Sequence, residues 1–114
     1  MSSAIGMLLR MADKFAEDLL AEQQSQADRL IEMLQKIPDL LPTFTLKQTN
    51  AYYALMDRRH QWRETLFEGQ NELLKITDEK EYALRKRALI ERDAEKTREM
   101  ANALAAIIRN EIPE

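Results

Sequence analysis

At 114 residues the chain has the length of one domain, enough to bury roughly 65% of the surface its unfolded form exposes. Its 17 basic and 20 acidic residues leave a net charge of -3, too balanced for a general attraction to nucleic acid or to anionic membranes. The lack of cysteine excludes disulfides, thiolate nucleophiles and zinc-thiolate sites, and points to a reducing, cytoplasmic setting.

Valine is absent, and Leu, Ala, Glu, Gln, Lys, Arg and Met dominate; these side chains lose little freedom in a helix, so the composition disfavours strands. From Thr43 to Ile112 there is no proline and one glycine, Gly69, and nothing local stops that stretch from being helical. The residues Met1 to Leu9 lack a cationic leader region, Arg10 interrupts their apolar run, and no later stretch approaches the ~18 apolar residues of a membrane span.

Helix one is expected from Ser2 or Ser3 as N-cap to about Lys36, within residues 3–36, because Pro38 disfavours helical geometry at Ile37. Its apolar positions, Ile5, Leu8, Met11, Ala12, Phe15, Leu19 and Leu20, recur at three and four and resume at Ala27, Leu30, Met33, Leu34 and Ile37. The polar interval Glu22-Gln23-Gln24-Ser25-Gln26 reads as a wet layer in a continuous helix or as a joint capped by Ser25 and Asp28. Met7, Leu8, Met11 and Phe15 are candidate partner contacts, flexible thioethers being suited to adaptable surfaces.

The linker, residues 37–45, is apolar. Leu40, Leu41 and Phe44 read either as a docking knob for a partner or as a plug closing one end of the core. Thr45 with Gln48 forms a capping box for helix two, expected over residues 46–76. That helix carries two apolar stripes, Tyr52, Leu55, Trp62, Leu66, Leu73 and Ile76 on one and Tyr53, Met56, Phe67 and Leu74 on the other, which suggests two neighbours and a central position.

Thr77-Asp78 marks the next turn, with Asp78 and Glu81 as a cap for helix three over residues 79–110. A chain folding back there sets Arg59 beside Glu95, Arg63 beside Glu91 and Glu68 beside Lys86, three meetings of opposite sign that support the register. The segment Glu91 to Glu99 has little but Ala94 to bury, so a neighbouring helix or second chain is expected to hold it. Near the end, Leu104, Ile107 and Ile108 lie among alanines and read as a partner face or as the finish of the core.

Chemistry is sparse. The sole histidine, His60, has Asp57 and Glu64 at helical spacing, but a di-iron bundle needs two Glu-x-x-His motifs, and metalloprotease, phosphate-loop and hydrolase motifs are missing. An enzymatic role is not expected, nor is any cofactor. The clusters Arg58, Arg59 and Arg63, and Arg85, Lys86 and Arg87 with Arg92, are candidate phosphate contacts near Tyr53 and Trp62, although glutamates are interleaved with them and a charge run on a helix is usually a solvated face.

The expectation is thus an all-α, single-domain protein of three long helices in an up-down-up bundle, helices two and three forming an antiparallel, coiled-coil-like hairpin. Its expected role is that of a non-enzymatic helical protein-protein interaction module, an adaptor, chaperone, inhibitor or assembly subunit, partnered by another protein or by itself as a homodimer. The alternative is a helical nucleic-acid-binding subunit or regulator using the arginine and lysine clusters.

Overall fold

The structure, a computed structural model, describes the backbone of residues 2–113 and the side chains of residues 14–113. It is an all-α bundle of three helices, α1 (Ser2–Leu40), α2 (Leu46–Leu73) and α3 (Glu79–Ile108), with a single 3-10 turn at Leu41–Thr43. The direction of each helix follows from its cross-links. Going up α1, Phe15, Gln23 and Arg29 meet Arg87, Asp93 and Asn102 in the same order on α3, so these two run parallel. Gln48 and Trp62 of α2 meet Ile107 and Asp93 in reverse order, so α2 runs antiparallel to α3, and the topology is up-down-up.

α3, and not α2, is the central helix. It packs most against α1 and also against α2, while α1 and α2 scarcely touch. Ala94 and Ala101, seven residues apart and so on one face of α3, are both buried, and small side chains there let a neighbouring helix approach closely. α2 turns only its Leu55, Trp62 and Leu73 stripe inward; its second stripe has no helix over it.

α1 passes through the polar interval at residues 22–26 without a break and continues to Leu40, with Pro38 inside it, four residues beyond the expected stop. A proline there costs about 3 kcal/mol. Buried Ile37, with Leu41 and Phe44 packed on the same core, offsets this, since each fully buried apolar side chain contributes about 1.5–3 kcal/mol.

The capping box forms at Thr45: its hydroxyl accepts from the Gln48 backbone N–H at 3.2 Å and the Gln48 side chain accepts from the Thr45 N–H at 2.8 Å. α2 ends at Leu73, three residues before the expected limit, in a turn tightened by backbone bonds from Leu74, Lys75 and Ile76 to carbonyls three residues back. Asp78 is the N-cap of α3, but its side chain makes no capping bond, so the cap expected from Asp78 and Glu81 is not formed. The acidic first turn, Glu79 and Glu81, still favours the helix dipole.

α3 stops at Ile108 and not Asn110. Asn110 takes φ 57°, with its N–H bonded to the Ile107 carbonyl and that of Glu111 to Ala106, the two bonds of a Schellman motif. Asparagine tolerates this left-handed backbone better than most residues.

The α2–α3 register lies within one residue of expectation, as Trp62 opposite Asp93 shows. The three expected charge pairs nevertheless do not form among the described residues. The ion pairs are mostly within a helix, such as Arg87–Glu91 and Arg85–Glu81, because partners four residues apart are already adjacent.

One end of the bundle holds the core: Leu30, Ile37, Leu55, Trp62, Met100, Ala101, Leu104 and Ile107. At the other end residues 77–88 are all exposed. The molecule measures 63 × 29 × 25 Å, with a radius of gyration of 18.4 Å, against about 13 Å for a compact chain of this length.

Candidate functional site

The open face begins with the second stripe of α2. Phe67 is 64% and Leu74 81% exposed, and Tyr53, about 21 Å further up the same side of α2, is exposed as well. Between α2 and α1 the back of the face is α3, so that Leu66, Gln70 and Leu74 of α2, Tyr82, Lys86 and Ile90 of α3 and Gln23 of α1 line a groove of about 250 Å³. A shallower depression runs on from it, shared at Leu66 and Gln70 and reaching Phe67, Arg63 and His60. On α1, Leu20 and Ile31 are half exposed, and they follow Gln23 around the helix by about 60° and 80°. Both helices therefore present apolar side chains to one side.

A polar clasp holds the face at mid-height. The Asp93 carboxylate accepts from Trp62 Nε1 at 2.7 Å through one oxygen and from Gln23 Nε2 at 2.6 Å through the other. One side chain of α3 thereby ties α1 and α2 at the same level and satisfies the N–H of a buried tryptophan. Hydrogen bonds to a charged acceptor are the stronger kind, about 1.5–3 kcal/mol each.

The opposite side of the α2–α3 pair carries a groove of about 410 Å³ in which Arg58, Arg92 and Lys96 surround Trp62 and Met100. The Arg92 guanidinium lies 5.7 Å from the Trp62 ring centre, within cation–π range. Arg58 and Arg92 make no ion pair among the described residues, while Lys96 is 3.9 Å from Glu99.

The residues singled out from the sequence are dispersed. Met7, Leu8 and Met11 fall outside the described side chains. Phe15 is half exposed on α1 with the Arg87 guanidinium 4.0 Å from its ring centre. Leu40, Leu41 and Phe44 are half buried, Leu41 and Phe44 against the chain's own core, so they plug the bundle end. Leu104 is 0% exposed, Ile107 is buried and Ile108 packs on the core; none of the three offers a free face, because they finish the core that α3 shares with α1 and α2.

The basic residues do not form one patch either. Arg58 and Arg85 line grooves on one side of α2–α3, while Arg63 and Lys86 line the open face on the other. Arg85 and Arg87 are occupied by Glu81 and Glu91, Lys86 lies over Tyr82, and Arg59 is half buried. His60 is exposed and 3.1 Å from Glu64. Among the described residues no three His, Asp or Glu side chains gather to hold a metal, and no helix is long and apolar enough to cross a membrane.

Sequence reasoning missed Asp93, Lys96 and Ile31. The first carried a signal, an acid next to Ala94 and opposite the only tryptophan; the other two had none apart from the three-dimensional arrangement. Comparison with known proteins finds no matching family model, no matching curated protein and no matching solved structure.

Proposed function

We propose that this chain is a non-enzymatic, cytoplasmic interaction module, of the kind that serves as an adaptor, chaperone, inhibitor or assembly subunit, and that it works through the open face of α1 and α2. The observation that supports this most directly is the second stripe of α2, where Tyr53, Phe67 and Leu74 are exposed on one side of a helix that buries Leu55, Trp62 and Leu73 on another. Large side chains spaced seven apart with His60 among them, flanked by Arg63 and Gln70, have the composition of an interface centre and rim. Phe67→Glu combined with Leu74→Lys is expected to abolish association with the native partner in a pull-down while leaving the far-ultraviolet circular dichroism of the helices unchanged. Retained association in the double variant overturns the reading.

A second reading, contact with the phosphate backbone of a nucleic acid, is favoured by one observation: Arg58, Arg92 and Lys96 converge on a groove with Trp62 at its floor. Each neutralised phosphate releases counterions, so binding of labelled oligonucleotides would weaken steeply with salt, with a log-log slope of about -2 to -3 for three contacts. Salt-independent anisotropy excludes it.

A further inference from the structure

We infer that the open face is covered by a second copy of this chain, related to the first by a two-fold axis parallel to the helices, so that α1 of each protomer lies on α2 of the other. This rests on the interaction reading above and names its occupant.

The first argument is area. The chain exposes 8615 Å², whereas a compact monomer of 13.3 kDa exposes about 6,500 Å². The surplus of about 2,000 Å², spread over a molecule 63 Å long, leaves room for the ~800 Å² that each partner contributes to a standard stable interface. The face itself is large enough, because α2 from Tyr53 to Leu74 is about 30 Å long at ~1.5 Å per residue.

The second argument is register. A two-fold axis parallel to the helices leaves every residue at its own height, so the pairing it creates cannot be adjusted. Heights follow from Asp93, whose carboxylate sets Gln23 of α1 level with Trp62 of α2. Counting ~1.5 Å per residue from that level, upward on α1 and downward on α2, puts Leu20 about 3 Å from the height of Phe67 and Ile31 within about 2 Å of Tyr53.

Each exposed leucine or isoleucine on α1 thus meets an exposed aromatic on the partner's α2, twice by symmetry. Leu20 comes between Arg63 and Phe67 as a knob enters a hole. The two helices brought together are antiparallel, and the stripe of α1 between Leu20 and Ile31 presents Gln24 and Ala27 with no charge to oppose Arg59 or Arg63. An interface of this kind is isologous and closes at two copies.

The test uses the whole chain. Sedimentation velocity of the wild type across ~1–100 µM is expected to show a dimer with Kd of about 10 µM or tighter. Phe67→Glu acts at two sites of the dimer, so about tenfold per side chain becomes about 100-fold in Kd. The axis is read by crosslinking, which the absence of cysteine makes unambiguous: Leu20→Cys and Phe67→Cys proteins, mixed under oxidation, are expected to form a mixed disulfide dimer, and neither alone to crosslink.

A monomer at ~100 µM overturns the inference. So does a dimer in which Phe67→Cys crosslinks to itself, which sets α2 against the partner's α2 and not against its α1. If the wild type is monomeric yet the double substitution at Phe67 and Leu74 still abolishes capture of a different protein, the interaction reading stands and only the second copy falls.

Discussion

The two ends of this bundle are built from the same three helices and the same residue types, yet only one end is a protein interior. At the end formed by α1 beyond residue 27, the first half of α2 and the second half of α3, Leu55 and Leu104 are fully buried, and Gln48 spans the helices with a 2.8 Å bond from its amide to the Ile107 carbonyl. Beyond Trp62 on α2 and before Ala94 on α3, Leu73 is the one buried residue among those described, and it is still 9% exposed. What differs is the central helix: Ala94, Ala101 and Ala105 admit close neighbours, whereas Tyr82, Arg85, Lys86 and Arg87 hold them off. Small residues on the middle helix, more than large ones on its neighbours, decide where a three-helix chain becomes dense.

The same deletion made at both ends is expected to have very different costs. Leu104→Ala leaves a cavity in a packed interior and is expected to cost about 3–5 kcal/mol, enough to unfold much of the population. Leu84→Ala, at a position 68% exposed, is expected to change stability by less than about 0.5 kcal/mol. Urea titration followed by circular dichroism measures both. Equal losses would mean that the thin end is packed in solution.

Between the two ends stands Asp93. Asp93→Ala removes the acceptor for Trp62 and leaves a buried indole N–H unsatisfied, for an expected loss of about 2–3 kcal/mol. Asp93→Asn keeps one carbonyl acceptor and is expected to lose about half as much. A loss as large in the asparagine variant as in the alanine variant would show that the carboxylate charge, and not the hydrogen-bond count, holds the clasp.

The amides of α3 test the contrast without mutation. Those of residues 82–90 are expected to exchange through local opening at least 100-fold faster than those of residues 98–106, which corresponds to about 2.7 kcal/mol. Uniform protection along α3 would require a neighbour over the thin end, which a dimer supplies; a dependence of the protection at residues 82–90 on protein concentration would distinguish that case.

Helix number, direction and the Thr45 capping box were legible because they rest on local signals: helix-favouring composition, a proline-marked linker and a hydroxyl three residues before a glutamine. The order of packing was not. The two stripes of α2 suggest two neighbours and a central position, but α2 packs on α3 alone and α3 takes the centre; nothing along the chain says which helix has two neighbours. Leu104, Ile107 and Ile108 show the converse ambiguity, since an apolar, alanine-rich segment reads alike as core or as interface until α1 is seen to run parallel beside it. Pro38 misled for an energetic reason: its cost is local and visible, while the burial of Ile37 that offsets it is tertiary.

The smallest effect comes from the one glycine within α2. A Cβ at Gly69 would meet Leu89 Cδ1 at 3.0 Å and Cδ2 at 3.3 Å, with no backbone nearer. In a dense interior such a contact would make Gly69→Ala destabilising. Here Leu89 borders open grooves on both sides of α3, so its terminal methyls have room to move by the few tenths of an ångström required. Alanine gains about 0.8–1 kcal/mol over glycine in helix propensity, and a strained rotamer costs about 0.5 kcal/mol at most when the side chain is free to turn. Gly69→Ala is therefore expected to stabilise the chain by about 0.5 kcal/mol, read as a small rise in the urea midpoint with an unchanged slope. A net loss would show that Leu89 is locked, and therefore that the thin end is as constrained as the core it otherwise fails to resemble.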